Sequence, residues 1–359
     1  MSSIDPSVRP SVRAMSGYVP GEQPQGGKFI KLNTNENPYP PSPQVKTSIL
    51  AAIDRGLERY PDPMATAARQ AISAVLGVPV DWVLCGNGSD DLLTIITRTF
   101  LGPDQTLRMP YPSYILYRNL AEIQGARVSE IHFHPDWSLD TEAFCRPDES
   151  LGLAVIPNPN SPSGTVLTPA QLLEISSRLP CPLLIDEAYA DFAQSHCVDL
   201  VRQSDRILVT RTLSKSYGLA GLRFGFAIAQ PSVIQHLTKV KDSYNCDALA
   251  IAGAAAAILD QNWLRDNRRQ IVATRGRMTE GLRALGFNVT ESQANFVWCT
   301  HPTHSVQRLY EGLKQRQILV RYMPYAGWTA GLRISVGTEQ QIDVLLRTLG
   351  ELLSQSSEG

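Results

Sequence analysis

Nothing in this chain has the spacing of a zinc knuckle or a disulfide frame. Its six cysteines (Cys85, Cys145, Cys181, Cys197, Cys246, Cys299) are scattered, with no C-x-x-C pair, and they read as reduced thiols of a cytoplasmic protein. The six histidines (His132, His134, His196, His236, His301, His304) show no ligand spacing either, so no metal is expected. Neither sign of charge dominates: 33 Lys and Arg stand against 34 Asp and Glu, a net charge of -1. Without a broad basic field or a basic stripe interleaved with aromatics, a nucleic-acid partner is not expected. No apolar run approaches the roughly 18 residues that span a bilayer. The longest, "ALAIAGAAAAIL" (Ala248–Leu259), is too short and alanine-rich, and predicts a packed helix. The first seventeen residues lack the apolar core of a secretory signal, so neither membrane nor export is expected. No internal repeat is visible.

What is present is a globular composition. With 359 residues, 43% apolar and 19% charged, the chain can bury a large core. From about Pro110 to Gln230 short apolar runs alternate with helical patterns, the mark of βαβ units and an α/β fold with a mostly parallel sheet. The strand candidates there are "LGLAVIP", "PLLIDEA", "RILVTRT" and "LRFGFAIA". Thr168 predicts a helix start, with Pro169 at its first position and Gln171 closing a capping box. After about Asn262 a long charged helix runs through Arg283, followed by strands "NFVWC", "ILVRYM" and "LRISVG" and a last helix opening at Thr338 with Gln341. This predicts a smaller α+β domain. The first forty residues, rich in Pro, Gly and Asn, read as an extended arm outside the core. The expected division is arm and start of the small domain at 1–44, large domain at 45–262, and small domain at 263–359.

Chemistry concentrates in a few stretches. "VLCGNGSDDLL" (Val83–Leu93) leads through Gly86 and Gly88 into a helix starting at Ser89, whose free N–H groups attract a phosphate. It is not a dinucleotide fingerprint: Asp91 stands where the third glycine belongs, and no clean strand precedes it. "LLIDEAYADF" puts Asp186 and Glu187 at the carboxyl end of an apolar strand, where open α/β sheets bind ligands. Alone, an aspartate there is most simply a turn cap. Its company changes that reading. Tyr189 follows three residues later, Lys215 in "TLSKSYGLAGLRFGF" ends the next strand, and Arg223 opens the one after. A phosphate-bearing pyridine cofactor needs that set: a carboxylate for the ring nitrogen, a lysine for the Schiff base, and an arginine plus a helix start for the phosphate. The hydroxyls of Thr212 and Ser214 suit the same phosphate.

Together "TLSKSYGLAGLRFGF", "IDEAYADF", "NPNSPSGT" and "LNTNENPYPPS" resemble the fold type I pyridoxal-phosphate-dependent aminotransferases, and most closely the histidinol-phosphate aminotransferases. The resemblance covers nearly the whole chain in the family's order. It implies a large domain with a mostly parallel sheet plus a smaller α+β domain, and pyridoxal 5'-phosphate as cofactor. It implies Lys215 as the Schiff-base lysine, Asp186 as partner of the pyridine nitrogen and Tyr189 as donor to the ring hydroxyl. Arg223 and Ser214 become phosphate ligands with the backbone at Gly88, Ser89 and Asp90, and Tyr114 of "YPSYILY" stacks on the ring. Tyr60 of "RYPDP" is given to the phosphate of a neighbouring subunit, which implies a homodimer. One departure stands out: the family's "N-N-P-T-G" is here Asn160-Ser161-Pro162-Ser163-Gly164. The asparagine that contacts the ring oxygen is thus a serine, and either Asn160 reaches in or Ser161 takes the role.

For substrate, Arg321 and Arg333 read in isolation as solvated strand-end arginines. The resemblance makes them receptors for the carboxylate of the amino donor and the phosphate of histidinol phosphate. A fork-shaped, always charged donor suits both anions. Tyr18 of the arm would assist, and Asn37 and Glu36 would close over the site. The implied reaction is histidinol phosphate plus 2-oxoglutarate to imidazole-acetol phosphate plus glutamate, reversibly, in histidine biosynthesis. The alternatives on the same scaffold are an aromatic amino-acid aminotransferase or a decarboxylase of a phosphorylated amino acid. A non-catalytic regulator with this fold would need an added DNA-binding module, for which there is no room before Tyr18.

Overall fold

The computed structural model describes residues 7–17, 21–23 and 28–355. In chain order its strands are β1 (Ile30–Lys31), β2 (Val83–Gly86), β3 (Thr106–Tyr111), β4 (Arg127–His132), β5 (Leu151–Pro157), β6 (Leu183–Asp186), β7 (Ile207–Thr212) and β8 (Gly225–Ile228). After a helix at Gln261–Ala284 come β9 (Asn288–Val289), β10 (Phe296–Thr300), β11 (Ile318–Leu319), β12 (Arg321–Met323) and β13 (Gly331–Ser335).

Seven strands form one sheet in the order β2-β8-β7-β6-β5-β3-β4. The pairs from β7 through β6, β5 and β3 to β4 are parallel, whereas β8 runs antiparallel to both β7 and β2. Strands β5, β6 and β7 are buried at every position, because helices cover both faces and the sequence can be continuously apolar. Two clusters fill those faces, one around Ile72, Ile185 and Phe224, the other around Leu93, Leu107 and Leu184. A third lies among Leu32, Met278, Val297, Ile334 and Leu345, under the four-stranded antiparallel sheet β12-β13-β10-β9. The alanine-rich segment forms the helix Ala248–Leu259, packed on the helices Pro43–Asp54 and Thr66–Leu76.

Both capping boxes form. The Thr168 side chain accepts from the Gln171 amide and the Gln171 side chain returns to Thr168. Thr338 and Gln341 do the same, at 3.3 and 2.9 Å. Two expectations are corrected. A clean strand does precede the glycine stretch: β2 is four residues long and buried throughout. The arm also enters the core, since β1 pairs with β11 in parallel and Leu32 is buried in the third cluster.

Parallel pairing puts the carboxyl ends of β5, β6 and β7 side by side, and the antiparallel start of β8 joins them. Pro157 pairs with Asp186, Asp186 with Thr210, Thr212 with Gly225, and Gly225 with Gly86. One sheet edge thus collects four of the stretches singled out above.

Candidate active site

Asp186 ends β6 with its carboxylate buried. Tyr117 Oη donates to its Oδ2 at 2.6 Å and Thr210 Oγ1 to its Oδ1 at 3.2 Å. Burial pushes this carboxyl up to about 6, although both hydroxyls pull the other way. Among the described residues no cation pairs with it. Lys215 follows β7, its Nζ 3.3 Å from the Thr34 carbonyl and 5.8 Å from the centre of the Tyr189 ring. Among the described residues it too has no ion-pair partner. Asn37 Nδ2 donates to the carbonyls of Lys215 (3.1 Å) and Ser216 (3.0 Å), so the arm pins the lysine's backbone.

The glycine stretch and Arg223 meet at the same edge. Gly88, with φ +82°, precedes the helix Ser89–Phe100. The turn needs glycine for its backbone angle, and a Cβ there, 2.5 Å from Arg223 Nη2, would push the guanidinium aside. Arg223 is itself left-handed, φ +53°, an uncommon conformation that such sites often hold. Its contacts are loose: Asp90 Oδ2 at 3.4 Å and Ser214 Oγ at 3.5 Å. The Ser214 amide donates to Thr212 Oγ1 at 3.1 Å, fixing the turn.

Around this edge stand aromatics and amides. Tyr114 Oη lies 3.4 Å from Asp90 Oδ1, and its ring meets Tyr117 edge-on at 5.5 Å. Tyr189 Oη accepts from Asn35 Nδ2 at 3.0 Å. Asn160 spends both ends of its amide on neighbours: its Oδ1 accepts from Ser113 Oγ (3.1 Å) and its Nδ2 donates to Ser163 Oγ (2.9 Å). Ser161 Oγ instead accepts from Arg333 Nη1 at 2.9 Å. Arg333 Nη2 donates to the Asn33 carbonyl at 3.0 Å, its guanidinium lies 5.4 Å from the Phe296 ring centre, and its Nε is buried without a hydrogen-bond partner. Arg321, opposite Arg333 in the β12–β13 register, borders a cavity of about 800 Å³ with Met15, Gly17 and Asn119.

Other residues land elsewhere. Glu187 turns away from Asp186, as strand alternation dictates, and holds Arg211 at 2.8 Å. Glu36 pairs with Lys31 at 2.6 Å. Tyr60 lies on the surface, 80% exposed and stacked on Tyr244 at 4.5 Å. Tyr18 lies outside the described residues. Sequence reasoning missed Tyr117, Asn35 and Ser113. Of these only Tyr117 had a signal, lying three residues from Tyr114 on the buried face of the helix Leu116–Gln124.

The arrangement can hold a phosphorylated pyridine ring. Asp186 is a buried carboxylate held by the hydroxyls of Tyr117 and Thr210, which suits a protonated ring nitrogen. The open helix start at Ser89 and Asp90, with Arg223 and Ser214 only loosely engaged, suits a phosphate. Lys215 lies beyond the end of β7 at the same sheet edge, its Nζ beside the Thr34 carbonyl and the Tyr189 ring.

The family model for aminotransferase class I and II matches residues 27–349. The histidinol-phosphate aminotransferase of Rhodopirellula baltica is 57% identical over 339 residues, 94% of this chain and 93% of its own. That of Geotalea daltonii is 43% identical, covering 96% of this chain and 99% of its own. In three dimensions the histidinol-phosphate aminotransferase of Sinorhizobium meliloti, solved with pyridoxal-5'-phosphate, superposes with a TM-score of 0.88 at 24% identity, covering 97% of this chain and 98% of that one. The α/β architecture is thus that of fold type I, and the chain belongs to the class I and II aminotransferases and, within them, to the histidinol-phosphate aminotransferase family.

Proposed function

We propose that this protein transfers an amino group reversibly between histidinol phosphate and 2-oxoglutarate, a step of histidine biosynthesis, with pyridoxal 5'-phosphate as its cofactor. The observation that carries this is the convergence of Lys215, Asp186 and the Arg223–Ser89 anion cradle at one sheet edge, in a chain 57% identical to a relative of that name. When bound, the cofactor supplies an electron sink for charge that develops at the substrate carbon.

The chain's own residues do the rest. Lys215 would tether the cofactor and, as a free amine, would carry the proton from the amine-bearing carbon to the cofactor carbon rather than back to its origin. Asp186 keeps the ring nitrogen protonated. Arg223, Ser214 and the amides at Gly88, Ser89 and Asp90 hold the phosphate, and Tyr114 covers one ring face. Tyr189 and Ser161 take the ring oxygen; Asn160 serves as a bracket between Ser113 and Ser163. Arg333 and Arg321 receive the substrate anion, with Tyr18, while Asn37 acts by holding the Lys215 backbone.

The working unit in this reading is a homodimer in the cytoplasm. Leu50, Ile53, Leu57, Tyr60, Tyr244 and Leu259 are large, exposed and apolar, and the helices bearing Leu50, Ile53 and Leu259 pack on each other. Such a patch supports an interface, across which Tyr60 would reach the partner's phosphate site. The domain division at 1–44, 45–262 and 263–359 belongs to the same proposal. The test is glutamate formation from histidinol phosphate and 2-oxoglutarate by the cofactor-loaded protein; no reaction with this pair, or release of carbon dioxide from a phosphorylated amino acid supplied in its place, would end the reading.

A further inference from the structure

Tyr117 has no part in the roles assigned so far, yet it touches the group on which the cofactor's chemistry depends. It is 2% exposed, lies among apolar residues of the second core cluster, and spends its hydroxyl on Asp186 Oδ2 at 2.6 Å. Sixty-nine residues separate the two in sequence. Thr210, on the neighbouring strand, takes the other carboxylate oxygen at 3.2 Å. The carboxylate is therefore held at both oxygens by hydroxyls on separate elements. Tyr117 also meets Tyr114 edge-on, with ring centres 5.5 Å apart and planes 89° apart, so one turn of chain carries the proposed ring-stacking residue and the clamp on the proposed ring-nitrogen partner.

We infer that Tyr117 is a positioning residue, with Thr210 as its counterpart, that fixes Asp186 in its charged form and orientation for the cofactor's ring nitrogen. The inference rests on the assignment of Asp186 given above. Its physical basis is simple. An isolated carboxylate in an apolar core would take up a proton and turn, and a short hydrogen bond from a hydroxyl opposes both. Burial raises the Asp186 carboxyl, and the Tyr117 and Thr210 hydrogen bonds limit that rise. The other charge facing it is the carboxylate of Asp90, which favours protonation. Removing the Tyr117 hydroxyl therefore moves Asp186 towards its neutral form at neutral pH.

The experiment titrates cofactor-free protein with pyridoxal 5'-phosphate across pH, for wild type, Tyr117→Phe, Thr210→Val and Asp186→Asn, with circular dichroism as the folding control. In Tyr117→Phe the pH below which affinity fails should rise by about one unit, so that affinity at a fixed lower pH drops about tenfold and recovers in alkali. Thr210→Val should shift it the same way by less, and decides the matter alone if Tyr117→Phe does not fold. Should Asp186→Asn lose affinity while the folded hydroxyl variants keep the wild-type midpoint, the positioning role is wrong and the Asp186 assignment stands. A loss of affinity equal at every pH would mark mere packing and also overturn it. Wild-type affinity in Asp186→Asn would instead remove the underlying assignment.

Discussion

Arg333→Ala removes the guanidinium that the structure prepares most thoroughly for an anion. Ser161 Oγ and the Asn33 carbonyl hold the two terminal nitrogens at 2.9 and 3.0 Å, and the Phe296 ring lies 5.4 Å from the guanidinium carbon. The fork is thus oriented before substrate arrives, and the buried Nε has donor capacity in reserve. Leaving a substrate anion poorly paired in such a site costs roughly 2 to 5 kcal/mol. At about 1.4 kcal/mol per factor of ten, that is a loss of roughly 30-fold to a few thousand-fold in kcat/KM. Because one site serves both half reactions, glutamate and histidinol phosphate should suffer together. Arg333→Lys keeps the charge and loses the fork, so it should fall between. The assay is steady-state transamination in both directions, with a thermal melt to show that the fold survives. Values of kcat/KM within threefold of wild type for both substrates would refute the placement of Arg333 at the anion.

Other outcomes follow from the same geometry. Lys215→Ala should lose transamination by several powers of ten while still binding the cofactor, and borohydride should attach cofactor mass to the Lys215 peptide of wild type alone. Asp186→Asn should cost turnover yet stabilise the cofactor-free protein. Folding raises that carboxyl from 3.8 to about 6, so the folded chain binds more protons than the unfolded one in this window. Stability therefore falls as pH rises through it, by up to about 3 kcal/mol, and chemical denaturation at pH 4 and 8 should show the variant's advantage growing with pH; an advantage constant with pH would contradict this. Leu57→Glu places a charge on an exposed apolar patch. It should convert a dimer to monomers by sedimentation and lower activity with it, whereas a fully active monomer would remove the shared-site proposal.

How far the sequence reveals this site depends on how local each signal is. The capping boxes at Thr168 and Thr338 are contained within four residues, and both form. Lys215, Asp186 and Arg223 lie at ends of apolar runs, and parallel pairing brings those ends together. Strand β2 escaped because it is four residues long, buried on both faces without alternation, and closes on a glycine. Leu32 escaped because the mostly apolar run Phe29-Ile30-Lys31-Leu32 is only four residues long and leads straight into Asn and Pro; its pairing with the distant β11 segment reveals it. The Tyr117–Asp186 bond joins residues 69 apart, and nothing in either neighbourhood encodes the other. Glu187, adjacent to Asp186 and of like charge, was separable only by noting that neighbours on a strand face opposite ways.

The central claim is that this site acts on a phosphorylated amine, and the most direct test is the ratio of kcat/KM for histidinol phosphate to that for phenylalanine, in wild type and in Arg321→Ala. Losing a charge-assisted contact to the substrate phosphate costs roughly 2 to 5 kcal/mol. The account predicts that wild type prefers the phosphorylated amine and that Arg321→Ala loses most of that preference. Equal use of phenylalanine by wild type, or an unchanged ratio in Arg321→Ala, would contradict it and favour an aromatic amino-acid aminotransferase.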